Sequence, residues 1–182
     1  MLSVKGNTLS DTSTTDQVAD EKTCRDHGSK DRIFLVVVDD SEEMLQAMRF
    51  ACRRALHTGG RVALLYVIEP AEFNHWAAVG DLMQEEARAE AERLMQKLGE
   101  EVLEYSGQIP VLYMREGDRR DELVKLVNED DQISILVLGA SSGSGGPGPL
   151  LTALMGKHIG RLRVPITVVP DNLEPAEIDE IS

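Results

Sequence analysis

Short apolar runs recur along the chain, and a longer stretch of mixed polarity separates each run from the next. The first run, IFLVVV at 33–38, is rich in β-branched residues and has no alternating polar positions. Such a run predicts a strand buried on both faces, which is typical of a parallel sheet covered by helices. Four more strands are predicted at 62–68, 109–114, 133–138 and 166–169.

The stretches between these strands place apolar residues at steps of three and four, the spacing of an amphipathic helix. One helix is predicted over about 41–57, ended by Gly59 and Gly60. A long second helix has a predicted apolar stripe of Met83, Ala87, Ala91, Leu94, Leu98, Val102 and Tyr105. A third begins at Asp118, and a fourth follows a glycine-rich loop. This alternation predicts an α/β fold with an open five-stranded parallel sheet in three layers.

Polar tails flank the predicted domain, which covers residues 31–170. Residues 1–30 contain few large apolar side chains, so ordering them costs more conformational entropy than burial returns, and we predict disorder there. The same argument predicts disorder in the acidic C-terminal tail, 171–182. Pro165 and Pro170 bracket the last strand, which predicts that it lies at an edge of the sheet.

Composition narrows the classes of partner. The chain has 32 acidic and 19 basic residues, giving a formal net charge of −13. This charge repels nucleic acids and anionic membrane surfaces, so we expect neither as a partner. With two cysteines outside any CxxC pair and no signal-peptide or membrane-spanning pattern, the chain is expected in the cytoplasm.

The glycine-rich loop and its flanks, residues 136–165, depart from this acidic background. They contain Lys157, Arg161 and Arg163 and neither Asp nor Glu. Ligands of open α/β sheets bind beyond the carboxyl ends of the strands, and this loop follows the fourth strand. Because glycine lets several backbone N–H groups approach one anion, the loop is a candidate phosphate site.

Two common phosphate-binding motifs fit the loop poorly. A Walker A motif fails, because Leu151 and His158 occupy the positions of its first glycine and its hydroxyl residue. The dinucleotide pattern GxGxxG is met by Gly143, Gly145 and Gly148, but prolines interrupt the turn and the match follows the fourth strand rather than the first. Among the three functions considered for this chain, we therefore rank a dinucleotide-dependent reductase last.

A third pattern, G-x2-G-x9-G, is met by Gly143, Gly146 and Gly156. With this loop the chain resembles the universal stress protein family over residues 31–170. Four other segments support the resemblance: VVVDDSEE after the first strand, LLYVIEP in the second, REGD at 115–118 and VPITVVP at the last strand. The resemblance implies a Rossmann-like fold of the adenine nucleotide alpha hydrolase-like type.

The resemblance also implies a ligand and a role. It implies that Asp39 and Val67 hold the adenine and ribose end of ATP or AMP, which would bind with or without Mg²⁺. The residues implied to hold the phosphates are Gly139, Gly143, Gly146, Gly156 and Lys157, the last at the head of the closing helix. It further implies a homodimer through the last strand and a regulator in stress response, with at most slow ATP hydrolysis.

Two departures from the family pattern keep an alternative open. The loop from Gly139 to Gly156 is longer than usual, and Lys157 stands where the family has a hydroxyl residue. In the alternative, the loop is a plain connection whose helix starts at Pro149, and its basic residues offset acidic surface or complement the carboxyl end of that helix. The protein would then be a dimeric interaction module that binds no nucleotide.

Other chemistry has little support in the sequence. No Ser-His-Asp or Cys-His arrangement can be argued, so no catalytic residue is predicted. His57, His75 and His158 do not lie at ligand spacing with one another or with a cysteine, so no metal site is predicted.

Overall fold

The computed structural model describes residues 32–39, 41–70 and 77–182, except for the side chains of 77–82 and of Lys157. The strands are β1 (Ile33–Val37), β2 (Arg61–Ile68), β3 (Val111–Glu116), β4 (Ile133–Ala140) and β5 (Ile166–Pro170). They form one sheet in the order β3-β2-β1-β4-β5, and every neighbouring pair is parallel. The predicted open five-stranded parallel sheet is confirmed.

Helices follow the first four strands, and one more closes the chain. They are α1 (Glu43–Thr58), α2 (Ala77–Ser106), α3 (Arg119–Glu129), α4 (Pro149–Ala153) and α5 (Pro175–Ile181). A π-helical turn, Leu154–His158, and a 3₁₀ turn, Ile159–Arg161, continue α4. The predicted stop of α1 is confirmed at Gly59, whose φ of 70° places it in the left-handed region and whose N–H donates to the carbonyl of Ala55.

Two apolar layers enclose the sheet. On one face, α3 and the segment around Leu151 and Leu154 pack against alternate strand residues such as Leu35. On the other face, α1 and α2 pack against the intervening residues, among them Val36. Leu35 and Val36 are both fully buried, since β1 lies at the centre of the sheet. This double burial explains the uninterrupted apolar run with which the domain begins.

The stripe predicted along α2 is confirmed in the middle and wrong at its ends. Ala91, Leu98 and Val102 are buried, whereas Met83 and Tyr105 are 43% and 40% exposed. The reason is length: 30 residues of helix extend about 45 Å, whereas the eight residues of β2 beneath them extend about 26 Å. The ends of α2 therefore project beyond the apolar surface that the sheet offers.

The prediction that 171–182 is disordered is wrong, because Pro175–Ile181 forms α5. Ile178 has no exposed surface, and the carboxylate of Asp179 accepts hydrogen bonds from Arg49 of α1 at 2.9 and 2.7 Å. The acidic composition suggested solvation, but the partner of Asp179 lies far away in the sequence. The predicted disordered tail at 1–30 lies outside the described residues.

Both edges of the sheet are free within the described chain. The prediction that the last strand is an edge is confirmed, since β5 pairs with β4 alone. The other edge is β3, which begins at Val111 rather than at 109 as predicted and pairs with β2 alone. β3 is only half-buried, and its Leu112 is 48% exposed.

The start of α3 gives a pH-dependent prediction. Asp118 accepts hydrogen bonds from the backbone N–H groups of Arg120 and Asp121, and the Arg120 side chain and then these N–H groups lower its pKa to about 2. Asp118→Ala is expected to cost about 1 kcal/mol of unfolding free energy at pH 7. Because the folded pKa is depressed, this stabilisation is complete above about pH 4 and is lost as the pH falls towards about 2. Urea unfolding at several pH values measures both effects.

The matched control is Asp118→Asn, which retains a side-chain oxygen that can accept from the first-turn N–H groups. We expect it to lose less than the alanine variant at pH 7. Equal losses in the two variants would contradict the capping role.

Candidate functional site

A cavity of about 310 Å³ lies at the carboxyl ends of β1 and β4. The chain passes from β1 towards one edge of the sheet through β2 and β3, and towards the other edge through β4 and β5. The cavity therefore lies where the strand order reverses, the usual ligand position in open α/β sheets. The lining residues are Val37, Asp39, Ser41, Glu43, Met44, Arg119, Leu138, Gly139, Pro147, Gly148, Pro149, Leu150 and Leu151.

Asp39 directly follows β1 and is held by a short local turn. Its Oδ1 accepts from the backbone N–H of Ser41 at 3.1 Å and from the Ser41 hydroxyl at 2.5 Å. Among the described residues Oδ2 has no hydrogen-bond partner. Asp39 is thus fixed in orientation and offers one carboxylate oxygen to a ligand hydroxyl or amine.

Gly139 brings the start of α1 close to β4. A Cβ at this position would lie 2.3 Å from the carbonyl oxygen of Glu43 and 2.5 Å from its carbonyl carbon. The glycine is therefore required for backbone-to-backbone packing, not for an unusual φ. This contact sets the position of Glu43 and Met44 at one wall of the cavity.

The first turn of α4 and the residues before it form another wall. Gly148 precedes the helix with a φ of 97°, and Pro149 occupies its first position. The alternative prediction of a helix starting at Pro149 is confirmed. The backbone N–H groups of Leu150 and Leu151 belong to the first turn, where no intrahelical acceptor exists, so they are suited to meet a ligand acceptor.

Two of the predicted site residues line this cavity, Asp39 and Gly139. Val67 does not, because it lies in β2 with 3% exposure in the apolar layer under α3. Gly143 and Gly146 do not either, since they form a separate turn in which Gly146 N–H donates to the Gly143 carbonyl at 3.2 Å.

Gly156 and Lys157 lie inside the helical segment rather than at its head. They belong to the π-helical turn Leu154–His158, well after the start at Pro149. The prediction that Lys157 heads the closing helix is therefore wrong, because a glycine followed by a proline starts the helix earlier. The nucleotide contacts proposed for Val67, Gly143, Gly146, Gly156 and Lys157 stay predictions.

Arg161 and Arg163, the other basic residues near the loop, contact α3 and its carboxyl end. Arg163 Nε donates to the Val127 carbonyl at 2.6 Å, and its Nη2 donates to the carbonyls of Asp130 and Ile133. Arg161 reaches Asp121 at 3.5 Å. The carboxyl end of α3 has no glycine to cap it, and Arg163 adds side-chain donors to the backbone hydrogen bonds already made there.

This cap gives a second prediction. Arg163→Met keeps the aliphatic stem and removes the donors, so we expect a loss of about 1.5 kcal/mol of unfolding free energy in urea titrations. Arg161→Met is the matched control, because its contact is long and its side chain is 55% exposed. Its loss should stay within about 0.5 kcal/mol. Equal losses would argue against the cap.

Sequence reasoning missed two charged residues of the cavity. Glu43 of α1 lines it, and its Oε1 lies 4.0 Å from where a Cβ on Gly148 would be. The glycine-rich loop has no acidic residue near it in the sequence, but the fold brings the carboxylate of Glu43 close to it. Arg119 was discoverable, because it follows the carboxyl end of β3 and such ends share one rim of the sheet.

Arg119 is a cation whose hydrogen bonding is incomplete. Its Nη2 lies 3.7 Å from Glu69 Oε2, whereas its Nε is buried and has no hydrogen-bond partner within the described residues. Because Arg119 lines the cavity, its guanidinium places a positive charge beside a ligand there. The described lining thus combines two carboxylates, one guanidinium and the first-turn N–H groups of α4.

Within the described part of the chain, no three His, Cys, Asp or Glu side chains lie together in a group that could hold a metal ion. None of the helices that the structure describes has the length and apolar character needed to cross a membrane.

The fold and the cavity define a three-layer α/β protein with a crevice at the reversal of strand order. The sequence profile of the universal stress protein family matches residues 32–170, and the chain belongs to that family. No curated protein gives a significant match.

Solved structures of universal stress proteins share the fold. UspA from Lactobacillus plantarum is 18% identical with a TM-score of 0.64, and the match covers 76% of this chain and 97% of that one. A universal stress protein in complex with cAMP is 18% identical over 76% and 96% of the two chains, with a TM-score of 0.55. A family protein from Arabidopsis thaliana with AMP bound is 14% identical over 80% and 98%, with a TM-score of 0.53. The fold is therefore Rossmann-like, of the adenine nucleotide alpha hydrolase-like type, as expected.

Proposed function

We propose that the cavity between β1 and β4 binds an adenine nucleotide, ATP or AMP, and that the protein is a nucleotide-dependent regulator in the stress response. The observation that carries the proposal is the cavity of about 310 Å³ at the reversal of strand order. The two family structures described with cAMP and with AMP support the choice of ligand. The proposed setting is the cytoplasm, and ATP hydrolysis is at most slow.

In the proposed complex Asp39 Oδ2 accepts a hydrogen bond from a ribose hydroxyl or from the adenine amine. Apolar side chains from β1, α1 and β4 pack on the base; these are Val37, Met44 and Leu138. The phosphates meet the N–H groups of Leu150 and Leu151, with Gly139 behind them. Contacts from Gly143, Gly146, Gly156 and Lys157 would require the loop and the helical segment after it to rearrange around the ligand. A contact from Val67 would require its side chain, which is buried in β2, to become accessible.

The direct test is titration of the full chain with labelled ATP. Asp39→Asn keeps an oxygen for the Ser41 turn and replaces the free acceptor with an N–H₂ group, so affinity should fall about tenfold. Gly156→Val serves as the comparison, because a Cβ there meets nothing within 4 Å. A larger loss in Gly156→Val than in Asp39→Asn would favour the rearranged loop. Absence of saturable binding below millimolar ATP would remove the proposal.

Glu43 gives a third prediction, on specificity. Its carboxylate lies beside the proposed phosphate position and repels a nucleotide more than a nucleoside. Glu43→Gln should raise the affinity for ATP about fivefold at low salt, with adenosine binding unchanged. Mg²⁺, which screens the same repulsion, should reduce the difference. Calorimetric titration with ATP and with adenosine gives both values.

The matched control is Glu42→Gln, which changes the neighbouring residue in the same way. Glu42 is exposed and does not line the cavity. Equal gains in the two variants would mean that general surface charge, not the position of Glu43, controls the affinity.

A second candidate function is a dimeric interaction module that binds no nucleotide. The observation that favours it is the pair of carboxylates, Asp39 and Glu43, in the cavity lining. Thermal melting separates the candidates, since a ligand at one hundred times its dissociation constant adds about 2.7 kcal/mol. An unchanged melt with ATP and Mg²⁺ favours the interaction module.

Both candidates include a homodimer through β5. The supporting observation is that β5 is an edge strand, with Val168 41% exposed. Sedimentation of the wild type should show a dimer at tens of micromolar, and Val168→Lys should shift it towards monomer. A wild-type monomer at that concentration would count against the dimer.

A further inference from the structure

A second cavity, of about 480 Å³, lies along the opposite edge of the sheet from β5. It is a groove between one face of α2 and residues 109–114, which lead into β3 and form its first part. We call it the edge groove. Its apolar lining consists of Met95, Leu103, Ile109, Pro110, Leu112 and Met114.

The groove exists because α2 packs over β2 and leaves the neighbouring face of β3 uncovered. Gly99 of α2 widens it, since a Cβ there would only just contact Pro110 and Leu112, at 3.7 and 3.9 Å. As a result Leu112 is 48% exposed and Ile109 is 70% exposed. Contiguous exposed apolar surfaces are uncommon on soluble proteins, and they mark interaction sites more often than polar surfaces do.

The strand beside the groove also has an open edge. β3 pairs only with β2, so alternate backbone N–H and C=O groups along Val111–Glu116 have no strand partner within the described chain. Pro110 precedes the strand and Arg115 lies near its end, but residues 111–114 contain neither proline nor a charged side chain that would discourage pairing. A strand added there would direct every second side chain towards the groove.

The rim of the groove is acidic. Glu92 and Glu100 line it from α2, and Glu100 contacts Gln96 but no cation among the described residues. Glu92 has one exposed pair with Arg88, at 3.4 Å. Basic residues on a partner would therefore meet complementary charge. A second copy of this chain would bring the same glutamates and a further net charge of −13.

We propose that the edge groove and β3 together bind an extended peptide segment of a partner protein, which adds to the sheet as a sixth strand. The segment has apolar side chains at alternate positions and Lys or Arg at its ends. Backbone hydrogen bonds to β3 supply affinity, the groove selects the apolar side chains, and Glu92 and Glu100 select the basic ends. This surface is separate from the nucleotide cavity and does not depend on the proposed function.

The test uses a labelled synthetic peptide with three valines alternating with threonines between pairs of lysines. Fluorescence anisotropy with the full chain should show saturable binding. A peptide with glutamates at its ends and one with N-methylated backbone amides should each bind at least tenfold more weakly. Equal binding of the N-methylated peptide would overturn the added strand, and equal binding of the glutamate peptide would overturn the acidic rim.

The variant that tests the groove is Gly99→Leu, which fills it and also raises helix propensity, so the fold is retained. Peptide binding should fall at least tenfold. Ala89→Leu is the control, because it adds the same side chain to an exposed part of α2 outside the groove. Equal binding in the two variants would overturn the proposal. A dimer that Gly99→Leu dissociates would also overturn it, and would assign the surface to a second copy.

Discussion

Replacing Gly139 by alanine is expected to lower the unfolding free energy by about 3 kcal/mol. The new Cβ would lie 2.3 Å from the main-chain oxygen of Glu43, and backbone atoms cannot rotate away as a side chain can. Either β4 or the start of α1 must shift. Chemical denaturation of the purified variant measures the loss.

The matched control is Gly145→Ala in the loop that follows. A Cβ at Gly145 meets nothing within 4 Å, and its φ is not among the positive values. Its stability should change by less than about 0.5 kcal/mol. If both alanines were tolerated equally, the close approach of α1 to β4 would be wrong, and with it the shape of the cavity between β1 and β4.

Ile178→Ala is expected to have the second large effect, a loss of about 3 kcal/mol. Ile178 is fully buried, and a seven-residue helix such as α5 does not persist without tertiary contacts. Without this anchor, α5 is held mainly by the ion pairs of Asp179 with Arg49 and Arg53, which are partly exposed and replace no apolar contact. We therefore expect α5 to detach while the sheet stays folded, and hydrogen exchange of the α5 amides should accelerate.

Ile181→Ala is the control, with the same substitution in the same helix at a residue that is 59% exposed. Its loss should be below about 0.5 kcal/mol, with α5 exchange unchanged. Equal effects of the two substitutions would contradict the docking of α5 on α1.

The strands were predictable because their signal is local. A β-branched apolar run such as 33–38 indicates a strand buried on both faces wherever it occurs, and the sheet buries Leu35 and Val36 completely. The same holds for turns, since Gly59 ends α1 and the glycine and proline at 148–149 start α4. Local sequence also placed Asp39 and Gly139 at the rim, because both follow or end a predicted strand.

The surroundings of those residues were not predictable from composition. The three basic residues near the glycine loop suggested a cationic pocket, yet Arg163 caps α3 and Lys157 lies inside a helical turn. Glu43, distant in sequence, supplies a carboxylate instead. Arg119 reaches the cavity from a third part of the chain.

The sequence by itself determined the α/β class and the five strands. It also pointed to the rim at the carboxyl ends of the strands as the place where a ligand would bind. Tertiary structure decided the charge of the cavity, the cap on α3 and the docking of α5. The physical reason is that strand and helix propensities depend on residues close together in the sequence. Ion pairs and burial depend on residues that can be far apart in it, such as Arg49 and Asp179, which are separated by 130 positions. Such contacts exist only once the strand order has brought distant helices together.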